Sequence, residues 1–234
     1  MTNRIALWLA DNGFGKIVRQ QSVGGGCIND SRRLHLDTGK SLFLKQHTQA
    51  PEDMFHSEAV SIAALGKRQA LRVPTVLHIE EDFILLEDLG QSSPRKQYWT
   101  DLGEGLAQLH SEKYPQFGFN INNYCGLTPQ QNDLAEDGHD FFANLRILKL
   151  ASQAFDQNQL DREDLSKLEY IAANLARWIP KQPAVLIHGD LWSGNIHCDE
   201  EGRPALIDPA TYWGWACLLY TSDAADDTPC VDLG

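Results

Sequence analysis

Basic residues are in short supply in this chain. Only 20 Lys and Arg stand against 32 Asp and Glu, a net charge of −12, which argues against a nucleic acid or an anionic membrane as the main partner. Long apolar runs are missing too, since no stretch approaches the roughly 18 uninterrupted residues of a membrane span. The opening apolar patch, residues 5–10, meets Asp11-Asn12-Gly13 at once, and so reads as a helix with a stop rather than a signal peptide. The cysteines (27, 125, 198, 217 and 230) form no CxxC pair and no zinc spacing; reduced thiols in a cytoplasmic protein are the plain reading. Repeats, low-complexity tracts and Pro/Gly linkers are likewise lacking. The remaining composition, 42% hydrophobic and 22% charged, is that of a soluble globular protein.

Periodicity divides the chain in two. Residues 16–46 alternate short apolar runs with turn residues at Gly24-Gly25-Gly26 and Asp37-Thr38-Gly39-Lys40, predicting three antiparallel strands. Across 50–67 the period becomes helical, with Phe55, Ala59, Ile62, Ala63 and Leu65 in one stripe. Strands follow at 76–79 and 83–86 around a turn at Asp82. Past Glu87-Asp88-Leu89-Gly90 the chain turns helical. Ser93-Pro94 offers an N-cap and a first helical residue, Leu102, Leu106 and Leu109 continue the stripe, and further helices are expected at 138–155 and 162–178. The fold class is therefore α+β, with a five-stranded antiparallel sheet plus helix ahead of a mostly helical second lobe. Residues 1–88 form the expected nucleotide-binding lobe and 89–216 the catalytic and substrate lobe.

Two short apolar runs deliver the chemistry. Residues 184–187 lead into His188-Gly189-Asp190-Leu191-Trp192-Ser193-Gly194-Asn195, and residues 205–207 lead into Asp208. Each Asp or Asn alone would be an ordinary turn residue. An Asp, an Asn five residues later and an Asp thirteen further on reproduce the catalytic spacing of the protein-kinase-like phosphotransferases. A carboxylate (Asp190) must accept the proton of an attacking hydroxyl. An amide oxygen (Asn195) and a second carboxylate (Asp208) must hold Mg2+ on the phosphates of ATP. His188 reads as a support for the start of this loop.

A nucleotide site also requires a cation. Lys45 closes the run Ser41-Leu42-Phe43-Leu44-Lys45, and Glu58 lies thirteen residues on within the expected helix. A strand-to-helix pair of this kind fixes the ammonium for the α/β-phosphates, with Glu52 as the reserve partner. Gly24, Gly25 and Gly26, about twenty residues before Lys45, read either as a hairpin turn or as a flap whose backbone approaches the phosphates. They lack GxGxxG spacing, and no Gly-Lys-Ser/Thr directly follows. Cys27 is either a small strand residue or a thiol whose oxidation, or pairing with a second subunit, would distort the flap. Glu87 and Leu89 bracket the expected hinge, where backbone rather than side chains would meet the adenine.

His188-Gly189-Asp190 with Gly194-Asn195 resembles the aminoglycoside-phosphotransferase-like kinases. The stretch Leu191-Trp192-Ser193, with Asp208-Pro209-Ala210 and Tyr212-Trp213-Gly214, resembles the fructosamine (ketosamine-3) kinase family in particular. Gly24-Gly25-Gly26-Cys27-Ile28, Phe43-Leu44-Lys45, Phe117-Gly118-Phe119, Gly126, Pro129-Gln130 and Asn132 support the likeness. The resemblance implies ATP-dependent phosphorylation of the 3-hydroxyl of a ketosamine, free or protein-bound. The unstable product would release its amine, a deglycation step. It implies Asp190 as base, Asn195 and Asp208 as Mg2+ ligands, and Lys45 and Glu58 at the phosphates. Trp192 either offers the sugar an apolar face or packs under the loop; Tyr212 is a second substrate candidate. Asp208-Pro209-Ala210 stands where protein kinases carry Asp-Phe-Gly, so switching by a flipping Phe is not expected.

The resemblance stops near Ala216. Residues 217–234 read as a non-native tail on a truncated gene, with a natural acidic tail as the alternative. The second lobe is thus expected to lack its last helices, which would expose apolar faces and favour aggregation or a homodimer. Three functions stay open: a ketosamine kinase, a kinase of another small molecule such as an aminoglycoside or amino sugar, and an inactive nucleotide-binding fragment.

Overall fold

The computed structural model describes residues 2–24 and 29–219. Gly25, Gly26 and Cys27, and residues 220–234 of the expected tail, lie outside the described residues. Helix α1 (Thr2–Asp11) precedes strands β1 (Ile17–Ser22), β2 (Asp30–Leu36) and β3 (Ser41–Gln46), helix α2 (Met54–Gly66), and strands β4 (Val76–Ile79) and β5 (Phe83–Glu87). The five strands form one antiparallel sheet in the order β1-β2-β3-β5-β4.

Strand alternation decides what each face carries. Leu42, Leu44, Phe83 and Leu85 pack with Ile5 and Leu9 of α1. Ile84, Leu86 and Phe43 face the other way, against Phe55, Ala59 and Ile62 of α2. Lys45, two residues beyond Phe43, therefore points toward α2.

The second lobe contains α3 (Tyr98–Leu109), β6 (Lys113–Tyr114), the hairpin β7 (Asn123–Cys125) and β8 (Thr128–Gln130), α4 (Gly138–Phe142), α5 (Lys149–Asp156) and α6 (Arg162–Ala173). It continues through β9 (Ala184–Ile187), β10 (Ile196–Cys198), β11 (Pro204–Leu206), β12 (Tyr212–Gly214) and α7 (Ala216–Leu219). Its core joins Leu102, Leu106 and Leu109 of α3 to Phe117, Phe141, Val185, Leu186, Ile187, Tyr212 and Trp215. Strand β9 is buried along its whole length and sits between β12 and β6. This buried strand delivers the chain to the loop of residues 188–195.

Several expected bounds shift. Helix α3 starts at Tyr98, not at Ser93-Pro94, because the backbone N–H of Arg95 is given to the Gly202 carbonyl at 3.1 Å and the preceding segment is spent docking on the β10–β11 turn. The expected 138–155 helix is interrupted by a π-helical stretch at Ala143–Leu148. The 162–178 segment ends as α6 at Ala173, followed by a 3-10 turn at Leu175–Arg177. Tyr170, Ile171 and Trp178 are exposed. No described helix is long and apolar enough to cross a membrane.

Candidate active site

The loop expected to be catalytic leaves β9 at His188, whose side chain is wholly buried. Its Nε2 lies 2.9 Å from the Ile207 carbonyl and its Nδ1 accepts from the Asp190 N–H at 3.3 Å. The ring is thus a neutral tautomer donating from Nε2, and burial drives its pKa down to about 4. It ties the loop to the strand that delivers Asp208. Gly189 then turns the chain at φ 84, packed so tightly on the Ala210 carbonyl that no Cβ fits.

Asp190 and Asn195 are bound to each other. The Asn195 Nδ2 donates to the Asp190 carbonyl at 2.7 Å and to its carboxylate at 3.1 Å. Asp208 follows β11 in the left-handed region, φ 56. Its Oδ1 accepts from the Lys45 Nζ at 3.0 Å, and the same ammonium donates to the Glu58 Oε1 at 2.6 Å. Burial opposes the charge on Lys45, but the Asp208 and Glu58 carboxylates outweigh it and raise its pKa. The ammonium is charged at any physiological pH. Glu58, not Glu52, faces Lys45.

These groups share one cleft. A cavity of about 190 Å3 is lined by Lys45, Glu58, Asp190, Trp192, Asn195 and Asp208, together with Met54, Ser57, Asn123 and Tyr124. A second cavity, about 570 Å3, shares Trp192, Asn195 and Asp208 and runs to Gly24 and the segment Glu87-Asp88-Leu89. Phe43, Leu86 and Ile207 give it apolar walls. Of the expected glycine flap, only Gly24 is among the described residues, and it lines this second cavity.

The segment expected to serve as the hinge is itself braced. The Glu87 carboxylate accepts from Arg72 Nη2 at 2.7 Å and from the Thr75 hydroxyl at 3.0 Å, so its side chain is already committed. The Leu89 carbonyl accepts from the Glu200 N–H at 2.9 Å and the Glu87 N–H goes to the Thr75 carbonyl at 2.8 Å. Asp199, fully buried, gathers Arg203, the Glu201 N–H and Arg72. The Arg203 and Glu201 hydrogen bonds outweigh burial and hold its carboxyl below the usual range.

Trp192 lies in both cavities, its ring folded over Gly194. Tyr212 does not reach either cavity lining. It is buried against Phe141, under the Arg146 guanidinium at 4.3 Å from the ring centre. Arg146 sits on the π-helical stretch and also donates to the Asn132 Oδ1 at 2.5 Å and the Gln131 carbonyl at 2.6 Å. Burial, and then the Asp190 carboxylate, push the nearby Cys125 thiol up to about 12, so it stays protonated. Tyr124, Cys125, Arg146, Asp199 and Arg72 escape sequence reasoning, because none carries a motif and each meets its partners only through the fold. Among the described residues no cluster of His, Cys, Asp and Glu forms a ready-made metal cage. The donors facing the cleft are an amide and a carboxylate, hard oxygen ligands suited to Mg2+ shared with phosphates.

The fructosamine kinase family model matches residues 1–217. The chain is 32% identical over 220 residues to the chloroplastic protein-ribulosamine 3-kinase of Arabidopsis thaliana, covering 88% of this chain and 66% of that protein. It is 30% identical over 225 residues to the ketosamine-3-kinase of Mus musculus, covering 82% and 71%. The chain therefore spans about two thirds of the length of these relatives. A solved structure of a fructosamine-3-kinase candidate from Haemophilus somnus 129PT superposes with a TM-score of 0.83 at 24% identity, covering 97% of this chain and 78% of that one. That last likeness establishes the fold.

Proposed function

The chain belongs to the fructosamine kinase family, and from that premise we propose that it transfers the γ-phosphoryl group of ATP to the 3-hydroxyl of a ketosamine. The observation that carries this reading is the convergence of Asp190, Asn195, Asp208 and the Lys45–Glu58 pair on one cleft.

The roles follow from the chemistry. Asp190 accepts the proton as the acceptor O–H bond breaks. The new O–P bond forms at the γ-phosphorus while the bridging bond to the β-phosphate opens, and ADP leaves. Lys45, held by Glu58, meets the α/β-phosphates. Adenine lies between Phe43, Leu86 and Ile207, read by backbone groups of 87–89. Asn195 and Asp208 would hold Mg2+, which neutralises charge on the phosphates when bound. The His188 bonds keep Asp190 and Asp208 in mutual register, and Trp192 bounds the acceptor. The 3-phosphate product is unstable and releases its amine, so the reaction serves deglycation.

Incubation with Mg·ATP and a mixed panel of fructosamines, ribulosamines and aminoglycosides tests the proposal. Phosphorylation of the ketosamines is the expected result. Phosphorylation of aminoglycosides alone, or nucleotide binding without turnover of any acceptor, overturns it.

A further inference from the structure

Helix α2 carries two different loads. Glu58 holds Lys45, and Met54, Ser57 and Glu58 together line the smaller cavity that also holds Asp190. Yet its leading end is weakly held by its own residues. Asp53, at the N-cap, sits at φ 58 and makes no side-chain cap bond of the kind that usually secures a helix start.

The anchor comes from the opposite lobe. The Tyr124 hydroxyl donates to the Glu52 carbonyl at 2.9 Å, across 72 positions of sequence. Burial, then the nearby Asp53 and Glu52 carboxylates, keep that phenol protonated and able to donate. Tyr124 stands on a firm base. Its neighbour Asn123 is buried and donates to the Thr211 carbonyl at 2.8 Å, beside the strand that follows Asp208. Asn132 donates to the Asn123 Oδ1 at 3.1 Å, and Arg146 in turn fixes Asn132. Tyr124 also lines the cavity that contains Asp190. One side chain therefore bounds the acceptor cavity and spans the two lobes.

We infer that Tyr124 is a positioning and specificity residue, a strap that closes the acceptor side of the cleft by fixing the Glu52 backbone that leads into α2; its acceptor role rests on the phosphotransferase reading above. The ring sets how large a group the acceptor can carry beyond its reacting hydroxyl.

Tyr124→Phe keeps the ring and removes the hydroxyl. In this variant we expect the KM for a ketosamine to rise about five-fold, the scale of one lost hydrogen bond, with the KM for ATP within about two-fold of wild type. Amide hydrogen exchange at residues 53–57 should accelerate without any substrate. Tyr124→Ala should in addition shift preference toward acceptors with bulkier amine substituents. Equal rises in both KM values would mark a merely structural role and overturn the inference, as would an unchanged acceptor KM or unchanged exchange at 53–57. A wild-type chain that phosphorylates no ketosamine would defeat the kinase reading, and the acceptor role with it. Even then the exchange measurement decides the strap: acceleration supports it and no change overturns it.

Discussion

Asn195 holds Asp190 twice, through the backbone carbonyl at 2.7 Å and through the carboxylate at 3.1 Å. Spending both contacts on the Nδ2 end of the amide leaves Oδ1 as the end available to a cation. Asn195→Ala should therefore lower kcat by roughly 10²-fold or more, the usual scale for a lost positioned polar group. Asn195→Asp places a like charge beside Asp190 and should raise the Asp190 pKa. The acid limb of the kcat/KM profile would then move to higher pH, which a pH–rate series would detect.

Lys45 and Glu58 are both buried, so breaking the pair leaves a stranded charge. Lys45→Met is expected to destabilise the fold by about 3–5 kcal/mol and to weaken nucleotide binding. Adding Glu58→Leu should restore most of the stability while activity stays lost. Urea unfolding of the single and double variants, alongside nucleotide titration, separates the two effects.

Gly189 occupies a left-handed turn with the Ala210 carbonyl against its Cα. Gly189→Ala must shift either the loop of residues 188–195 or the segment that follows Asp208, at a cost of ~2 kcal/mol or more. A lowered thermal midpoint with kcat falling further than nucleotide affinity would confirm that the loop, rather than the hinge, is displaced.

The His188 ring is neutral in the folded chain, its pKa depressed from an ordinary 6.5 to about 4. The unfolded chain takes up a proton near pH 6.5 and the folded chain does not. The contribution is therefore fully present above 6.5 and fades as pH falls toward 4, by roughly 3 kcal/mol in all. His188→Gln, which can still donate to the Ile207 carbonyl, should flatten that slope in denaturant melts taken between pH 7 and pH 4.

Much of this architecture was legible in the sequence because it rests on local patterns. The alternation of Leu42, Phe43, Leu44 and Lys45 already puts Lys45 on the α2 face, and the Asp190–Asn195–Asp208 spacing is carried by short apolar runs. The β7–β8 hairpin was not legible, since three-residue strands such as Asn123–Cys125 have no room for a period. The same holds for Arg146, which a helical periodicity places on an ordinary helix; the π-helical stretch turns it onto Tyr212 and Asn132. Ser93-Pro94 misled for a related reason. Its capping chemistry is sound locally, but the β10–β11 turn claims the following backbone.

The central claim is phosphoryl transfer from ATP to a ketosamine 3-hydroxyl with Asp190 as the base, and NMR of the product formed from ATP and a synthetic fructosamine tests it most directly. The account predicts a phosphoester on C3 with the wild-type chain, lost by at least ~10²-fold in rate with Asp190→Asn. A phosphoester on any other carbon, or an Asp190→Asn variant as fast as wild type, would contradict it.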